Sequence, residues 1–317
     1  MDYVILGNTG FKVSRICFGA LTIGPTQCNL TIEEGSKVII KALEMGINFI
    51  DTAKTYGTYP YIARALSCVG NRESIVLASK SHAYTEDQMK KDLFECLKSL
   101  NISEIDIFLL HEQQNELTLK GHKPALEFLL KAKEKGYVKA VGISSHYVEA
   151  VNIAAEMPEI DVIHPLINIK GIGICDGTRD EMLQAVRKAY YNGKGIYSMK
   201  PFGGGHLISN ARKALEWVLN QECIHSVAVG MQSEAEVVVN AAWVSGRDVD
   251  EGVAAELSKK KRRITVADWC TGCGKCVERC SAGAVKIVNN KAQITAEKCI
   301  LCSYCAVVCP EFCIKIY

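Results

Sequence analysis

The cysteines are the first residues whose spacing could do chemistry. Two runs, CTGCGKCVERC at 270–280 and CILCSYCAVVC at 299–309, both read Cys-x-x-Cys-x-x-Cys-x-x-x-Cys and hold eight of the fifteen cysteines. A disulfide scaffold belongs to small secreted chains that are Cys-dense throughout, whereas here only the tail is dense. Zinc sites use pairs of Cys-x-x-Cys, and these runs add a third and a fourth cysteine in strict rhythm. The rhythm is that of two-cluster [4Fe–4S] chains, in which each fourth cysteine crosses to the other cluster. It predicts one cluster on Cys270, Cys273, Cys276 and Cys309, and a second on Cys299, Cys302, Cys305 and Cys280. The chemistry would be one-electron transfer.

Such a pair of clusters needs a small scaffold. Between the runs, AVKIVNNKAQIT (284–295) alternates apolar and polar residues on both sides of Asn289-Asn290, a hairpin pattern. ITVADW before the first run and CIKIY after the second supply two further strands. The segment 264–317 therefore resembles a two-cluster bacterial ferredoxin. Ser281 departs from that pattern by standing where proline is usual, while Pro310 keeps it in the second run; the departure concerns a turn, since proline is no ligand. Cys313 reads as a small buried hydrophobe. Cys17, Cys28, Cys68, Cys96, Cys175 and Cys223 are scattered and carry no assigned chemistry.

A second set of candidates lies in residues 1–244. Strand-like RICFG, INFID, SIVLAS, IDIFLLH, VKAVGIS, IDVIHP, GIYSMKP and SVAVG alternate with helical stretches such as Thr31 to Met45, Thr85 to Leu100 and Ser209 to Gln221. Thr31 and Thr85 each precede a Glu or Gln by three residues, a helix-start signature. Eight such units predict an α/β fold, a (β/α)8 TIM barrel, with a small C-terminal α+β ferredoxin-like domain. A doubly wound sheet is disfavoured, because GIGICDG (171–177) is a poor dinucleotide fingerprint. Residues 245–263 form a linker. It is long enough to return the tail to the barrel mouth, reaching about 60 Å if extended or about 28 Å if helical. Its KKKRR run reads as a solvated face, with a docking patch for an acidic redox partner as the alternative.

In such a barrel the strand ends face the active site. DTAKTYG, ASK and LLH close the second, third and fourth strands, so Asp51, Tyr56, Lys80 and His111 converge on one mouth. Singly they read as a helix cap, a loop aromatic, a solvated charge and a core histidine. As a set they resemble the catalytic tetrad of the aldo-keto reductase family, over roughly residues 1–244. The resemblance implies Tyr56 as general acid for a carbonyl. A phenol of ordinary pKa about 10 is a weak acid at neutral pH, so Lys80 is expected to lower that pKa. Asp51 would hold Lys80, and His111 would orient the substrate oxygen.

The resemblance also implies a nicotinamide dinucleotide laid over the mouth without a Rossmann fold. Ser144 stands where the family holds the carboxamide, with Ser145 replacing the usual asparagine and His164 a common glutamine. Met199 takes the place of an aromatic that stacks on nicotinamide. GMQSEAEVVVN (230–240) resembles the phosphate-and-adenine segment, with Gly230, Ser233, Glu236 and Asn240 on pattern. No cation follows until Arg247, which favours NAD(H) over NADP(H). Nicotinamide moves two electrons and a cluster one, so a flavin is a further candidate cofactor, although no flavin motif is legible. KPFGGG (200–205) is either a flexible loop or a phosphate contact.

Composition bounds the remaining classes. A formal charge of +2 makes no electrostatic case for nucleic acid or membrane as partner, and no apolar run reaches the roughly 18 residues of a membrane span. The start, MDYVILGNTG, lacks the regions of a signal peptide. Thiolate clusters ask for a reducing compartment, so a cytoplasmic protein is expected. Three functions compete. The first is a nicotinamide-linked carbonyl/alcohol oxidoreductase whose clusters relay electrons. The second is a nucleotide-binding electron-transfer or sensor protein with little turnover, and the third a reductase with purely structural clusters.

Overall fold

The structure, a computed structural model, describes residues 1–70, 72–258, 262–302 and 304–316. A short antiparallel hairpin, β1 (Tyr3–Ile5) and β2 (Lys12–Ser14), opens the chain. Eight parallel strands follow: β3 (Ile16–Gly19), β4 (Phe49–Asp51), β5 (Val76–Ser81), β6 (Ile105–Leu110), β7 (Val138–Ser145), β8 (Val162–Pro165), β9 (Gly195–Met199) and β10 (Ser226–Gly230). They pair in sequence order, and β10 pairs with β3 to close the barrel. The α/β barrel expected from the alternating pattern is the fold observed.

Strand alternation sorts the core into two layers. Ile107 and Leu109 point into the barrel, with Phe49, Val76, Ala78, Val162 and Tyr197, while Phe108 and Leu110 pack outward against the helices. Leu6 and Val13, from the turn and second strand of the hairpin, join the inner group, so the hairpin plugs one end of the barrel. Nothing in the strand pattern announced that plug. The helices begin where side chains can satisfy their first amides: Thr31 caps α1 (Ile32–Glu44) in a reciprocal pair with Glu34, and Thr85 accepts from the Gln88 amide at the start of α3 (Glu86–Leu100). Between them lies α2 (Tyr59–Ser67).

Six more helices complete the barrel layer: α4 (Glu116–Gly121), α5 (Lys123–Glu134), α6 (Val148–Ala154), α7 (Arg179–Tyr191), α8 (Ala211–Leu219) and α9 (Glu234–Val244). Then α10 (Glu251–Ser258) packs on α9 and leads to the tail. In the KKKRR run, Lys259, Lys260 and Lys261 lie outside the described residues, as does Tyr317 of the last strand pattern. No helix among the described residues is long and apolar enough to cross a membrane.

The tail builds two small antiparallel pairs: β11 (Ile264–Val266) with β14 (Ile314–Ile316), and β12 (Val285–Val288) with β13 (Lys291–Ile294). Asn289 (φ 49°) and Asn290 (φ 59°) make the β12–β13 turn, both in the left-handed region that such a two-residue hairpin requires. Short helices α11 (Lys275–Arg279) and α12 (Tyr304–Val307) follow the cysteine loops.

The tail sits on the mouth of the barrel, at the C-terminal ends of its strands. Phe312 packs among Leu166, Ile172, Met199 and Leu207, and His206 Nε2 donates to the Ile314 carbonyl at 2.9 Å. Gly205 permits the approach: at φ +93° it has no Cβ, and one placed there would lie 1.8 Å from the Ile316 carbonyl oxygen. Gly205→Ala is therefore expected to loosen the tail from the barrel. Tryptic cleavage after Arg262 and Arg263 should accelerate several-fold in the iron-loaded protein, and an unchanged rate would contradict this contact.

Candidate functional site

Strands β4, β5 and β6 end side by side, and their last residues build the centre of the mouth. Lys80 is 1% exposed and donates to Asp51 Oδ2 at 2.8 Å and to the Thr52 carbonyl at 2.7 Å. The second Asp51 oxygen accepts from the Tyr197 hydroxyl at 2.9 Å. Tyr56 is half-buried on a short turn after β4, with the Lys80 ammonium 4.9 Å from its ring centroid and the His111 ring edge-on at 5.8 Å. The four sequence-predicted residues thus meet in one place. Among the described residues His111 Nδ1, which is buried, has no hydrogen-bond partner.

The electrostatics differ from expectation. Lys80 does not lower the Tyr56 pKa. Burial raises it well above the ordinary phenol value, and the charges of Asp51 and Glu112 push the same way. The physical reason is pairing: the ammonium is matched by its own carboxylate, so little field remains to stabilise phenolate. His111 is held well below the ordinary imidazole value, by burial first and then by Lys80, His82, His164 and Lys200. The mouth therefore presents a protonated phenol beside a neutral imidazole.

Two residues of this group had escaped the sequence reading. Tyr197 fixes Asp51, and its ring stacks on His164 at 3.9 Å. Its signal was available, since it sits two residues before Met199 on one strand and so shares a face with it. Glu112, directly after His111, takes φ 55°, and its amide donates to Ser144 Oγ at 2.9 Å. Nothing short of the fold shows that.

The residues matched to a dinucleotide site divide into several cases. Ser144 is buried, and its hydroxyl accepts from the Glu112 amide. Ser145 is committed to backbone: its hydroxyl donates to the Gln113 carbonyl at 2.6 Å and accepts from the Tyr147 amide at 2.8 Å. His164 Nδ1 lies 2.6 Å from the Tyr197 carbonyl, and burial pushes its pKa down to about 4. Met199 packs on the apolar group of Leu166 and Ile172, which the tail's Phe312 joins. Gly230 ends β10 and packs on Thr22. Ser233 caps α9 by accepting from the Glu236 amide, while Asn240 donates to the Glu236 carbonyl and leaves its own buried Oδ1 without a partner. From beyond this segment, half-buried Arg262 comes within the electrostatic reach of Glu236. The linker folds back along α9 by way of α10, a return that no sequence spacing encodes.

The tail holds two cavities. One is lined by Cys270, Cys273, Cys276 and Cys309 together with Cys313, the other by Cys280, Cys299, Cys302 and Cys305. Each cavity takes its fourth run cysteine from the opposite run. Backbone amides of Ala292, Ala284 and Cys313 donate to the sulfurs of Cys270 (3.4 Å), Cys280 (3.2 Å) and Cys309 (3.3 Å). Such donors favour thiolate. At Cys270 burial opposes ionisation, yet the amides of Ala292 and Gly272, the Cys313 thiol and Lys291 outweigh it and lower the pKa. Cys313 is thus more than a packing residue. Among the described residues no three His, Cys, Asp or Glu side chains close on a point as single-ion ligands do. A four-iron cube asks each thiolate to reach its own iron, so its sulfurs stand around a cavity, and the residues present fit that group.

Neutral buried imidazoles also set a pH dependence. His111 and His146 are pushed well below their ordinary value, and His164 and His225 to about 4, in every case by burial first. Unfolded imidazoles titrate near about 6.5. Below that pH the unfolded chain binds protons that the folded chain refuses, so stability falls as pH drops from about 6.5 towards 4 and is level above. The urea midpoint of the iron-loaded protein should fall between about pH 7 and pH 5; a flat profile would contradict neutral burial.

Comparison with known proteins agrees with this geometry. The sequence matches the aldo/keto reductase family over residues 15–216 and a 4Fe-4S dicluster domain over residues 262–310. It is similar to the L-galactose dehydrogenase of Arabidopsis thaliana, at 23% identity covering 84% of this chain and 96% of that protein. It is also similar to the methylglyoxal reductase DkgA of Escherichia coli, at 25% identity over 53% of this chain and 63% of that one. Among solved structures, a putative aldo-keto reductase from Pseudomonas aeruginosa shares the fold with TM-score 0.66 and 24% identity, covering 77% of this chain and 94% of its own. An aldo-keto reductase from Bacillus halodurans in its holo form gives TM-score 0.64 and 20% identity, covering 82% and 96%. The chain belongs to the aldo/keto reductase family of oxidoreductases and carries a 4Fe-4S dicluster domain after its barrel.

Proposed function

We propose that the protein interconverts a small carbonyl compound and its alcohol with a nicotinamide dinucleotide, whose hydride balances that reaction, and that the clusters relay single electrons between a redox partner and the nicotinamide at the barrel mouth through a two-electron mediator such as a flavin. The observation that carries this reading is the meeting of Tyr56, His111 and the buried Lys80–Asp51 pair at the strand ends. When bound, nicotinamide supplies or accepts two electrons as hydride, and a [4Fe–4S] cluster exchanges one at a time. During reduction, negative charge grows on the carbonyl oxygen and Tyr56 gives that oxygen its proton. The raised phenol pKa keeps the donor loaded, and the carbonyl oxygen becomes basic enough to take the proton as charge grows on it. The Lys80 ammonium, 4.9 Å from the ring centroid, packs against Tyr56 and holds the ring in place. Asp51, fixed by Tyr197, limits the cost of burying that ammonium. Neutral His111 orients the substrate oxygen. In the other direction the phenolate takes the alcohol proton.

At the far end of the dinucleotide, the unpartnered Asn240 Oδ1 suits a donor such as an adenine amino group. Arg262 near Glu236 removes the ground for preferring NAD(H), so the proposal covers both dinucleotides. One observation favours a second reading: Phe312 of the tail joins the apolar group on which Met199 packs, where nicotinamide was expected to stack. On that reading the barrel binds nucleotide with little turnover and the clusters serve a partner protein.

Anaerobic assay of the full-length, iron- and sulfide-loaded protein separates the two. With a panel of aldehydes and ketones, NADH or NADPH oxidation should match alcohol formed one to one. Nucleotide binding without turnover selects the second reading.

A further inference from the structure

Beyond the tetrad, the mouth holds two lysines, Lys200 and Lys315, that none of the assigned roles uses; burial lowers the Lys200 pKa to about 8, which leaves it mostly protonated at neutral pH. Lys200, the first residue of the KPFGGG stretch, holds φ 58° at the end of β9 and donates to His146 Nε2 at 2.9 Å. Its ammonium lies 5.0 Å from the Phe312 ring centroid, and the Lys315 ammonium lies over the same ring at 3.0 Å. Neither lysine forms an ion pair among the described residues. The carboxylate that Lys200 feels most, Glu112, is exposed. His146 is kept neutral by burial and by Lys200 itself, so it accepts one of the three ammonium protons and leaves two donors unspent. Lys200 directly follows β9, the strand whose Tyr197 reaches Asp51, so it stands at the same barrel mouth as the reacting groups. A half-buried cation with spare donors, at a mouth that also holds the unpartnered His111 Nδ1, has the make-up of an oxyanion subsite.

We propose that the substrate of this mouth carries an oxyanion, a carboxylate or a phosphate, and that Lys200, positioned by His146 beneath Phe312, binds it while the carbonyl lies toward Tyr56 and His111. This rests on the barrel mouth being the carbonyl site, and it names the class of compound that enters: oxo acids or phosphorylated carbonyl compounds in preference to neutral ones. The recognition is charge-assisted hydrogen bonding by an ammonium that pairs with no carboxylate of its own.

Direct binding tests it independently of turnover. Calorimetry on the iron-loaded full-length protein, under anaerobic conditions, would use oxamate as the carboxylate probe, inorganic phosphate as the phosphate probe and oxamide as the neutral one. One of the two anions should bind and oxamide should not, and the anion that binds identifies the group. Lys200→Gln should weaken that anion about 30-fold, the loss of one charge-assisted hydrogen bond, and Lys200→Arg should recover most of it. Equal binding of oxamide overturns the proposal, as does anion affinity unchanged in Lys200→Gln. An altered cluster midpoint potential in Lys200→Gln with anion affinity intact overturns it too, assigning the lysine to the cluster's charge. If the anion binds through Lys200 but no carbonyl turns over, the subsite stands and the carbonyl chemistry falls.

Discussion

Tyr56→Phe is expected to lower the rate of carbonyl reduction by about 10²- to 10⁴-fold, the usual worth of a positioned general acid. The Tyr56 ring lies beside both the Lys80 ammonium, 4.9 Å from its centroid, and the His111 ring, at 5.8 Å. The substitution removes one oxygen and leaves the ring contacts, so folding and nucleotide binding should persist. Single-turnover measurement under anaerobic conditions reads the chemical step. A rate within about threefold of the parent would remove Tyr56 from the mechanism. The raised pKa adds a second expectation: reduction should not decline through ionisation of Tyr56 at pH values up to about 10, since the phenol stays protonated past its ordinary value.

Removal of iron should unfold the tail and spare the barrel. The apolar cluster of the tail consists of Cys276, Val285, Ala292, Cys305, Ala306 and Ile314, and two of these are themselves candidate ligands. A unit of roughly 55 residues with so little core depends on its metal, and binding free energy there is folding free energy. The barrel keeps its own two-layer core without help from the tail. A chelator under reducing conditions should therefore abolish protease resistance after residue 262 while most helical circular dichroism remains. Phe312 would leave the mouth with the tail, opening Met199 to solvent. Nucleotide affinity should then rise if the nicotinamide site lies under that ring, and an intact tail after complete iron removal would contradict the whole account.

Much of the site was legible because its information is local. The cysteine spacing is a pattern along the chain, and the two cavities group the same eight thiols. The Asn289-Asn290 turn was legible for a similar reason, since two adjacent residues that tolerate left-handed φ specify a hairpin by themselves. Asp51, Lys80 and His111 could be placed because strand ends in a barrel share one face, so that order along the chain becomes nearness in space. Less legible was the sign of the shift at Tyr56. It depended on whether the Lys80 charge was free or already matched, and matching is a distance between strands.

Sequence by itself determined the barrel, the two cysteine runs and the identity of the central residues, because strand alternation, ligand spacing and helix caps act over a few neighbours. Only the tertiary structure decided that the tail folds onto the mouth, that Phe312 joins the apolar group of Met199, that Arg262 comes within electrostatic reach of Glu236, and that Lys200 and Lys315 both approach the Phe312 ring. Those pairings join positions far apart along the chain. Burial, shape and unmatched charge select them, and none of these is a property of any short stretch of chain.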